Sequence, residues 1–519
     1  MSMTEQFFSV QNANRKDLFE GLSIWKDKKY HQLQGTYLVI SLSFANIKEP
    51  DYLTARQKIC QILEDLYIDH SYLLDGSILR DGEKEFFRRI TISMDDVSAT
   101  LAVHHLSKYL YQYYGKRVII LLDEYDTPIQ EAYIHGYWKE LVNFTRSLFN
   151  STFKTNPWLE RGIMTGITTM SKESVFSDLN SLEVVTTTSE KYETIFGFTE
   201  QEVFMAMDEY GLKEKEKVKK WYDGFVFGEC RDIYNPWSIL NYLKKRKFMT
   251  YWANTSSNAL VGKLIREGSR DVKIIMEDLL QQNSFYTQID EQIVFSQLNQ
   301  DESAIWSFLL AAGYLRVENF MIDEKQGQIE YELKLTNTEI QLMFEQMIKK
   351  WFIGSIGASA YNSFTKALLQ NDKKAMNIYM NEVALTTFSF LGQSTQALVA
   401  SDTGKSPSKR SEPERFYHGF VLGLIVELAD RYIITSNKES EFGRYDVMLE
   451  PKTEEDNAVI LEFKVYDADE ENSLKDTVKA ALQQIEDKKY ATTLEAKGIS
   501  ADRIRKYGFA FEGKRVLIG

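Results

Sequence analysis

YIITSNKESEFGRYDVMLEPKTEEDNAVILEFKVYD, residues 432 to 467, holds the pattern that decides the fold of the C-terminal part of the chain. It reads as a strand, a polar turn KTEEDN and a second strand, with Asp446, Glu462 and Lys464 spaced D-x15-E-x-K. Side chains alternate along a strand, so Glu462 and Lys464 share one face and Phe463 enters the opposite layer. Asp446 falls near the start of the preceding antiparallel strand, where a hairpin brings all three side chains together. Val459, Ile460, Leu461 and Val465 make the second strand apolar on both faces, as a central strand is. The bland alternative, a Glu and a Lys alternating on a solvated strand, fits those neighbours poorly.

The residue types suit one chemistry. Two carboxylates and a backbone carbonyl form a hard oxygen site for magnesium, which keeps waters and accepts phosphate oxygens. Such a metal polarises a phosphate and lowers the pKa of a bound water. A lysine beside it can orient or deprotonate that water and stabilise developing negative charge.

Outward from this stretch, ERFYHGFVLGLIVELADRY (414–432) is an apolar helix, and LKDTVKAALQQIEDKKY (474–490) is a second helix carrying Gln484 on its apolar flank. FYHGFVLGL, SNKESEFGRYDVMLEP, AVILEFKV and ALQQIEDKKY together resemble the PD-(D/E)XK nuclease superfamily, in the form found fused to AAA-ATPase-like domains in bacterial proteins. The resemblance implies a restriction-endonuclease-like α/β domain over 414–519. It makes Asp446 and Glu462 metal ligands for Mg2+ or Mn2+, Lys464 the activator of water, and Gln484 an accessory active-site residue. Glu414 is a further accessory candidate, with a helix-start acid favoured by the macrodipole as its equal alternative. Tyr490 is expected to pack against the sheet. The implied substrate is nucleic acid, DNA ahead of RNA.

The N-terminal part has a different pattern. GTYLVISLSF (35–44) is a strand, 51–71 and 96–114 are helices, and RVIILLDEYD (117–126) is an apolar strand ending in acids. A helix at 137–150 and a strand RGIMTGITT (161–169) follow. Strands buried on both faces and alternating with helices indicate a parallel α/β sheet. RVIILLDEYDTP, TGITTMSKESVFSDLNSL, WYDGFVFG and IYNPWSIL resemble an AAA-ATPase-like domain. That resemblance makes Asp123 and Glu124 the Walker B acids, which handle magnesium and the attacking water in a P-loop ATPase. It puts Thr165-Gly166 at the sensor position, where Thr169 replaces an arginine expected there; Lys172 is a candidate substitute, with a solvated lysine at a helix start as the favoured alternative. It also leaves open an oligomer assembled through this module.

One motif is missing. ATP phosphates need a glycine-rich loop of the form G-x4-G-K-[ST], and the sequence contains none. Gly404-Lys405-Ser406 lacks the first glycine, has Val399 in its place, and runs into Pro407. The first ten residues then correspond to the helix that follows such a loop, so the module reads as a truncated P-loop-type sheet, with degeneration as the alternative. ATP binding is doubtful, and hydrolysis is not expected.

The expected organisation is an AAA-ATPase-like domain over 1–197, a helical lid-like region over 198–300, a winged-helix-like and helical region over 301–401, a linker over 402–413, and the nuclease-like domain over 414–519. Asn235 and Pro236 open a helix. Tyr222-Asp223-Gly224 reads as a turn. His104 and His105, adjacent on a helix, point apart and make a poor metal pair.

At 519 residues the chain exceeds a single core, and 44% hydrophobic with 26% charged residues is a globular balance. No run approaches a membrane span, and the N-terminus is no signal peptide. Cys60 and Cys230 alone support no disulfide framework or zinc cluster, which suits the cytoplasm. A net charge of −13 argues against nonspecific coating of nucleic acid, while allowing a local basic groove. The leading expectation is a metal-dependent phosphodiester hydrolase. Its rivals are an inactive nucleic-acid-binding or regulatory scaffold, and an ATPase if a phosphate loop lies upstream.

Overall fold

The five apolar residues 118 to 122 form the middle of a three-stranded parallel sheet, ordered β1-β2-β3. The computed structural model describes residues 1–167, 182–254, 258–290, 298, 301–323, 328–356, 358–382, 423–424, 426–436, 439–440, 443–444, 447–466, 471–512 and 515–519. The expected linker 402–413, Glu414, Thr169, Lys172 and Asp446 lie outside these residues. The chain divides into two units: Met1–Glu193 with Phe227–Glu229 and Gln288–Gly313, and Thr194–Val226 with Cys230–Thr287 and Tyr314–Gly519.

In the first unit, β1 (Leu38–Ser43) pairs with β2 (Val118–Asp123) from Leu38↔Val118 to Ser43↔Asp123. On the other side, β2 pairs in parallel with β3 (Leu159–Met164). β3 starts two residues before the expected strand. The short helix α1 (Ser2–Phe8) leads into a bridge between Ser9 and Tyr37, just ahead of β1. After α2 (Lys28–His31) come the long helices α3 (Tyr52–Asp69) and α5 (Asp96–Tyr114), with α4 (Asp81–Arg89) between them. Their ends are set locally. Asp51 accepts from the Thr54 amide and Asp95 from the Ser98 amide, each satisfying an orphan N–H of a first turn. Gly115, at φ +68°, closes α5 in the left-handed conformation that costs glycine little. Helices α6 (Thr127–His135) and α7 (Trp138–Phe149) complete the βα alternation.

Glu83 ties α4 to α5. Its carboxylate accepts from the Arg80 amide at 2.9 Å and from Lys108 Nζ at 2.6 Å. Burial opposes ionisation, but the Lys108 ammonium and the Arg80 N–H outweigh it and hold the Glu83 carboxyl below its ordinary value. A carboxyl with a depressed folded pKa stabilises the fold above its unfolded pKa and loses that contribution as pH falls through the folded value. Glu83→Gln should therefore lower stability at neutral pH by up to about 1 kcal/mol. In chemical denaturation, the gap from wild type should close as the solution is acidified; a gap independent of pH would show that the ion pair contributes nothing.

The second unit starts with small elements: β4 (Phe198–Thr199), α8 (Glu200–Glu209), α9 (Lys215–Tyr222), the first two residues of β5 (Phe225–Phe227), β6 (Cys230–Tyr234) and α10 (Pro236–Lys245). The expected helices are present, but the antiparallel pairing of β4 with β6 is not legible in the sequence, because the two residues of β4 are too few to show a period. Val203, Met207, Val218, Tyr222, Tyr234, Ile239 and Tyr242 pack into one core. Asn235 Oδ1 accepts from the Trp237 and Ser238 amides, so NPWS is the helix start it resembles. Helices α11 (Ala259–Glu267) and α12 (Arg270–Leu280) and strand β7 (Phe285–Gln288) follow. Helix α13 (Glu302–Ala311) belongs to the first unit, and β8 (Leu315–Asp323), β9 (Gln328–Leu335) and α14 (Thr338–Ile356) continue the second. On α14, the buried Glu339 accepts from Ser238 Oγ at 2.7 Å and from the Tyr251 and Ala253 amides.

Helices α15 (Ala358–Gln370) and α16 (373–382) precede the C-terminal sheet. This sheet has the order β10-β13-β14-β15-β16, made of Tyr432–Ser436, Val447–Pro451, Ala458–Val465, Ile504–Glu512 and Arg515–Ile518, with a separate two-residue pair β11 (Glu439–Ser440) and β12 (Gly443–Arg444). Pairing is antiparallel except between β14 and β15, which run parallel across the crossover through α17 (Leu474–Asp487). A parallel sheet in one domain and a mixed sheet of restriction-endonuclease-like form in another give the α/β class expected. The edge strand β16 is covered by α16: Asn377 exchanges two hydrogen bonds of 2.8 Å with the Ile518 backbone, and Asn381 two of 2.7 and 2.9 Å with Val516. Amide side chains thus occupy groups that would otherwise template a further strand.

Candidate active site

On β14 the even-numbered side chains form one row: Ala458, Ile460, Glu462, Lys464. The first two join Met448, Ile485, Tyr490, Leu494 and Ile504 in the core beneath α17. Tyr490 packs there as expected. The odd-numbered Phe463 stacks instead on Phe509 and Phe511, with ring centroids at 4.6 and 5.8 Å, in the opposite layer. Glu462 thus sits where the apolar row ends, 2 % exposed, and Lys464 follows at the partly open rim.

Close approach of α17 completes the arrangement. Glu462 is opposite Gly508 on β15. A Cβ at Gly508 would lie 2.7 Å from the Val478 carbonyl oxygen and 3.0 Å from Ala481 Cβ, so the helix rests on bare backbone. At that separation the Gln484 side-chain amide donates to Glu462 Oε1. Asp446 lies outside the described residues, but its neighbour Val447 pairs with Leu461, the neighbour of Glu462.

At the carboxyl end of the N-terminal sheet, Asp123 accepts a hydrogen bond from the Thr165 hydroxyl at the end of β3. Glu124 adopts φ +50°, a costly conformation for a non-glycine residue, and accepts from Thr127 Oγ1 at 3.0 Å. Sequence reasoning passed over Asp126. It is 1 % exposed and accepts from the Ile167 amide and Gln130 Nε2, both at 3.0 Å, so it ties the loop after β3 to the start of α6. The second aspartate of DEYD, three residues after Asp123, was the only available signal. His104 Nδ1 lies 3.0 Å from the Ser151 carbonyl oxygen, a packing role.

Residues 1–176 match the family model described as a predicted AAA-ATPase, and residues 412–519 match that of the PD-(D/E)XK nuclease superfamily. The chain joins these two domains. A curated relative from Azotobacter chroococcum mcd 1, an uncharacterized protein in the vnfD 5′ region, is 25% identical over 400 residues, covering 74% of this chain and 68% of its own. No solved structure matches. PD-(D/E)XK nucleases generally use divalent metals. No described helix is long and apolar enough to cross a membrane.

The donor set of the nuclease domain fits such an ion. A buried carboxylate on a central strand is a hard oxygen ligand whose ionised form needs a partner charge. The Gln484 amide orients it from the side of the helix, as outer partners of metal-binding carboxylates do.

Proposed function

We propose that the C-terminal domain is a divalent-metal-dependent phosphodiester hydrolase acting on nucleic acid, DNA ahead of RNA. The observation that carries this reading is the side-by-side placement of Glu462 and Lys464 on one face of a buried strand, with Gln484 bound to Glu462. Asp446 and Glu462 would hold Mg2+ or Mn2+. When bound, the ion supplies Lewis-acid polarisation of a phosphate oxygen and acidifies a coordinated water. Glu462, fixed by burial and by Gln484, presents its carboxylate without having to reorganise. Lys464, two residues on, orients the attacking water and offers a positive charge to the phosphate as negative charge accumulates. Asp123 and Glu124 remain strand-end acids without a phosphate loop in this sequence, so ATP turnover is not assigned to this chain. Two cysteines and no disulfide among the described residues suit a cytoplasmic setting.

The test is to incubate the purified chain with single-stranded, double-stranded and branched DNA and with RNA, in Mg2+ or Mn2+ and in chelator. Cleavage of at least one substrate that chelator abolishes is the expected result; no cleavage of any refutes the reading. The net charge of −13 weakens the nuclease reading, and the second reading is an inactive nucleic-acid-binding or regulatory scaffold. That reading requires binding without cutting, unaffected by Asp446→Asn.

A further inference from the structure

Glu200, Asp223 and Asp232 each bring one carboxylate oxygen to a common point, all three within 4.8 Å of one another. They come from the first residue of α8, the residue closing α9, and β6. Lys219 is the cation paired with them: its Nζ lies 2.6 Å from Glu200 Oε2 and 3.2 Å from Asp232 Oδ1. The Tyr234 hydroxyl donates to Glu200 at 3.2 Å. Three carboxylates against one ammonium leave a formal charge of −2.

Asp223 is the decisive member. It is 6 % exposed, and its Oδ1 is buried with no hydrogen-bond partner among the described residues. An ionised oxygen withdrawn from water and given no donor costs several kcal/mol unless a cation neutralises it. The main chain around Asp223 cannot swing the group out to solvent. Its carbonyl oxygen accepts from Asn337 Nδ2 at 2.8 Å. Gly224 follows at φ +109°, where a Cβ would sit 2.2 Å from the Thr336 carbonyl oxygen.

We propose that Glu200, Asp223 and Asp232 bind one hard divalent cation of the Mg2+, Ca2+ or Mn2+ class, at a site separate from the nuclease centre. An all-oxygen, carboxylate-rich donor set with its remaining positions open to water suits these ions and not the thiophilic ones. The ion supplies the two positive charges that Lys219 leaves wanting and clamps α8, α9 and β6 at one point. A ligand that binds only the folded chain raises its stability in proportion to occupancy. The rival occupant is a proton: burial, with Asp232 alongside, pushes the Asp223 carboxyl up to about 7.

The experiment uses full-length Glu462→Gln protein, which lacks a proposed ligand of the nuclease centre, so that failure here is distinct from failure there. Mn2+ binding is measured by loss of the free-ion paramagnetic resonance signal, and thermal unfolding is followed with and without Mn2+. The Glu462→Gln protein should bind one equivalent of Mn2+ more tightly, by at least tenfold, than Glu462→Gln/Asp223→Asn does. It should also gain a rise in Tm with Mn2+ that the double variant lacks. Glu200→Gln, on another helix, should remove the same equivalent and decides the matter if Asp223→Asn fails to fold. Equal Mn2+ binding with and without these carboxylates overturns the site and leaves the trio with Lys219 and a proton as its only counter-charges, at a formal charge of −1.

Discussion

Lys464→Ala should reduce divalent-dependent cleavage by about a hundred- to a thousandfold, as the loss of one well-placed electrostatic group commonly does. Binding of nucleic acid should change little, because a single lysine contributes modestly to affinity in a protein whose other contacts remain. Glu462→Gln should be at least as severe, since it neutralises the buried carboxylate proposed to hold the metal while keeping its shape. Gln484→Ala acts through Glu462 and touches no reacting atom, so a loss of about ten- to a hundredfold, partly recovered at high Mn2+, is expected. Single-turnover rates set beside binding constants separate these cases. If all three variants cut as fast as wild type, cleavage belongs to a contaminant or to another site. If binding falls in step with cleavage, Lys464 is a phosphate contact and not an activator of water.

The parts of this centre legible in sequence were those that obey a local rule. Period-two alternation placed Glu462 with Lys464 and sent Phe463 to the other layer, where it stacks on Phe509. Charged or amide caps and one glycine fixed the ends of α3, α5 and α10, which is why those helices fall within a residue or two of expectation. The long apolar strand β2 is recognisable for a similar reason: burial on both faces permits only apolar residues along it.

What could not be read depends on register between distant segments. Asp223 reads as a turn residue in the sequence, and beside Gly224 it does close a helix; its meeting with Glu200 and Asp232 requires β6 to pair with β4, whose two residues show no pattern. Asn377 and Asn381 look like any polar positions on a helix until β16 lies against them. Asp126 forms its bonds to Ile167 only once β3 is seated beside β2. A carboxylate or amide carries no sign of its partner in its own flanking sequence.

The same reasoning makes Gly508→Val the most informative change outside the reacting groups. Gly508 does not adopt a left-handed φ, so a side chain there meets no backbone strain and all of its cost arises from α17. A Cβ would press on the Val478 carbonyl oxygen at 2.7 Å and lie 3.0 and 3.3 Å from Ala481 Cβ and Leu482 Cγ. The nearest of these is helix backbone, which cannot rotate aside, so the helix must lift. Overpacking of this kind costs about 1–3 kcal/mol and sometimes more, and the branched valine belongs at the upper end. The consequence for chemistry is larger than that for stability. Gln484 lies on the same helix just beyond Ala481 and Leu482, so lifting α17 withdraws the amide from Glu462, and cleavage should fall at least as far as in Gln484→Ala. Gly498→Ala is the control, because φ +89° strains an alanine there while no atom lies within 4 Å of its Cβ. It should lose stability but retain cleavage. In a double-mutant cycle, Gly508→Val and Gln484→Ala should be strongly non-additive for cleavage, since both remove the same hydrogen bond. Additive losses, or full activity in Gly508→Val at a lowered Tm, would show that the seating of α17 does not govern the centre.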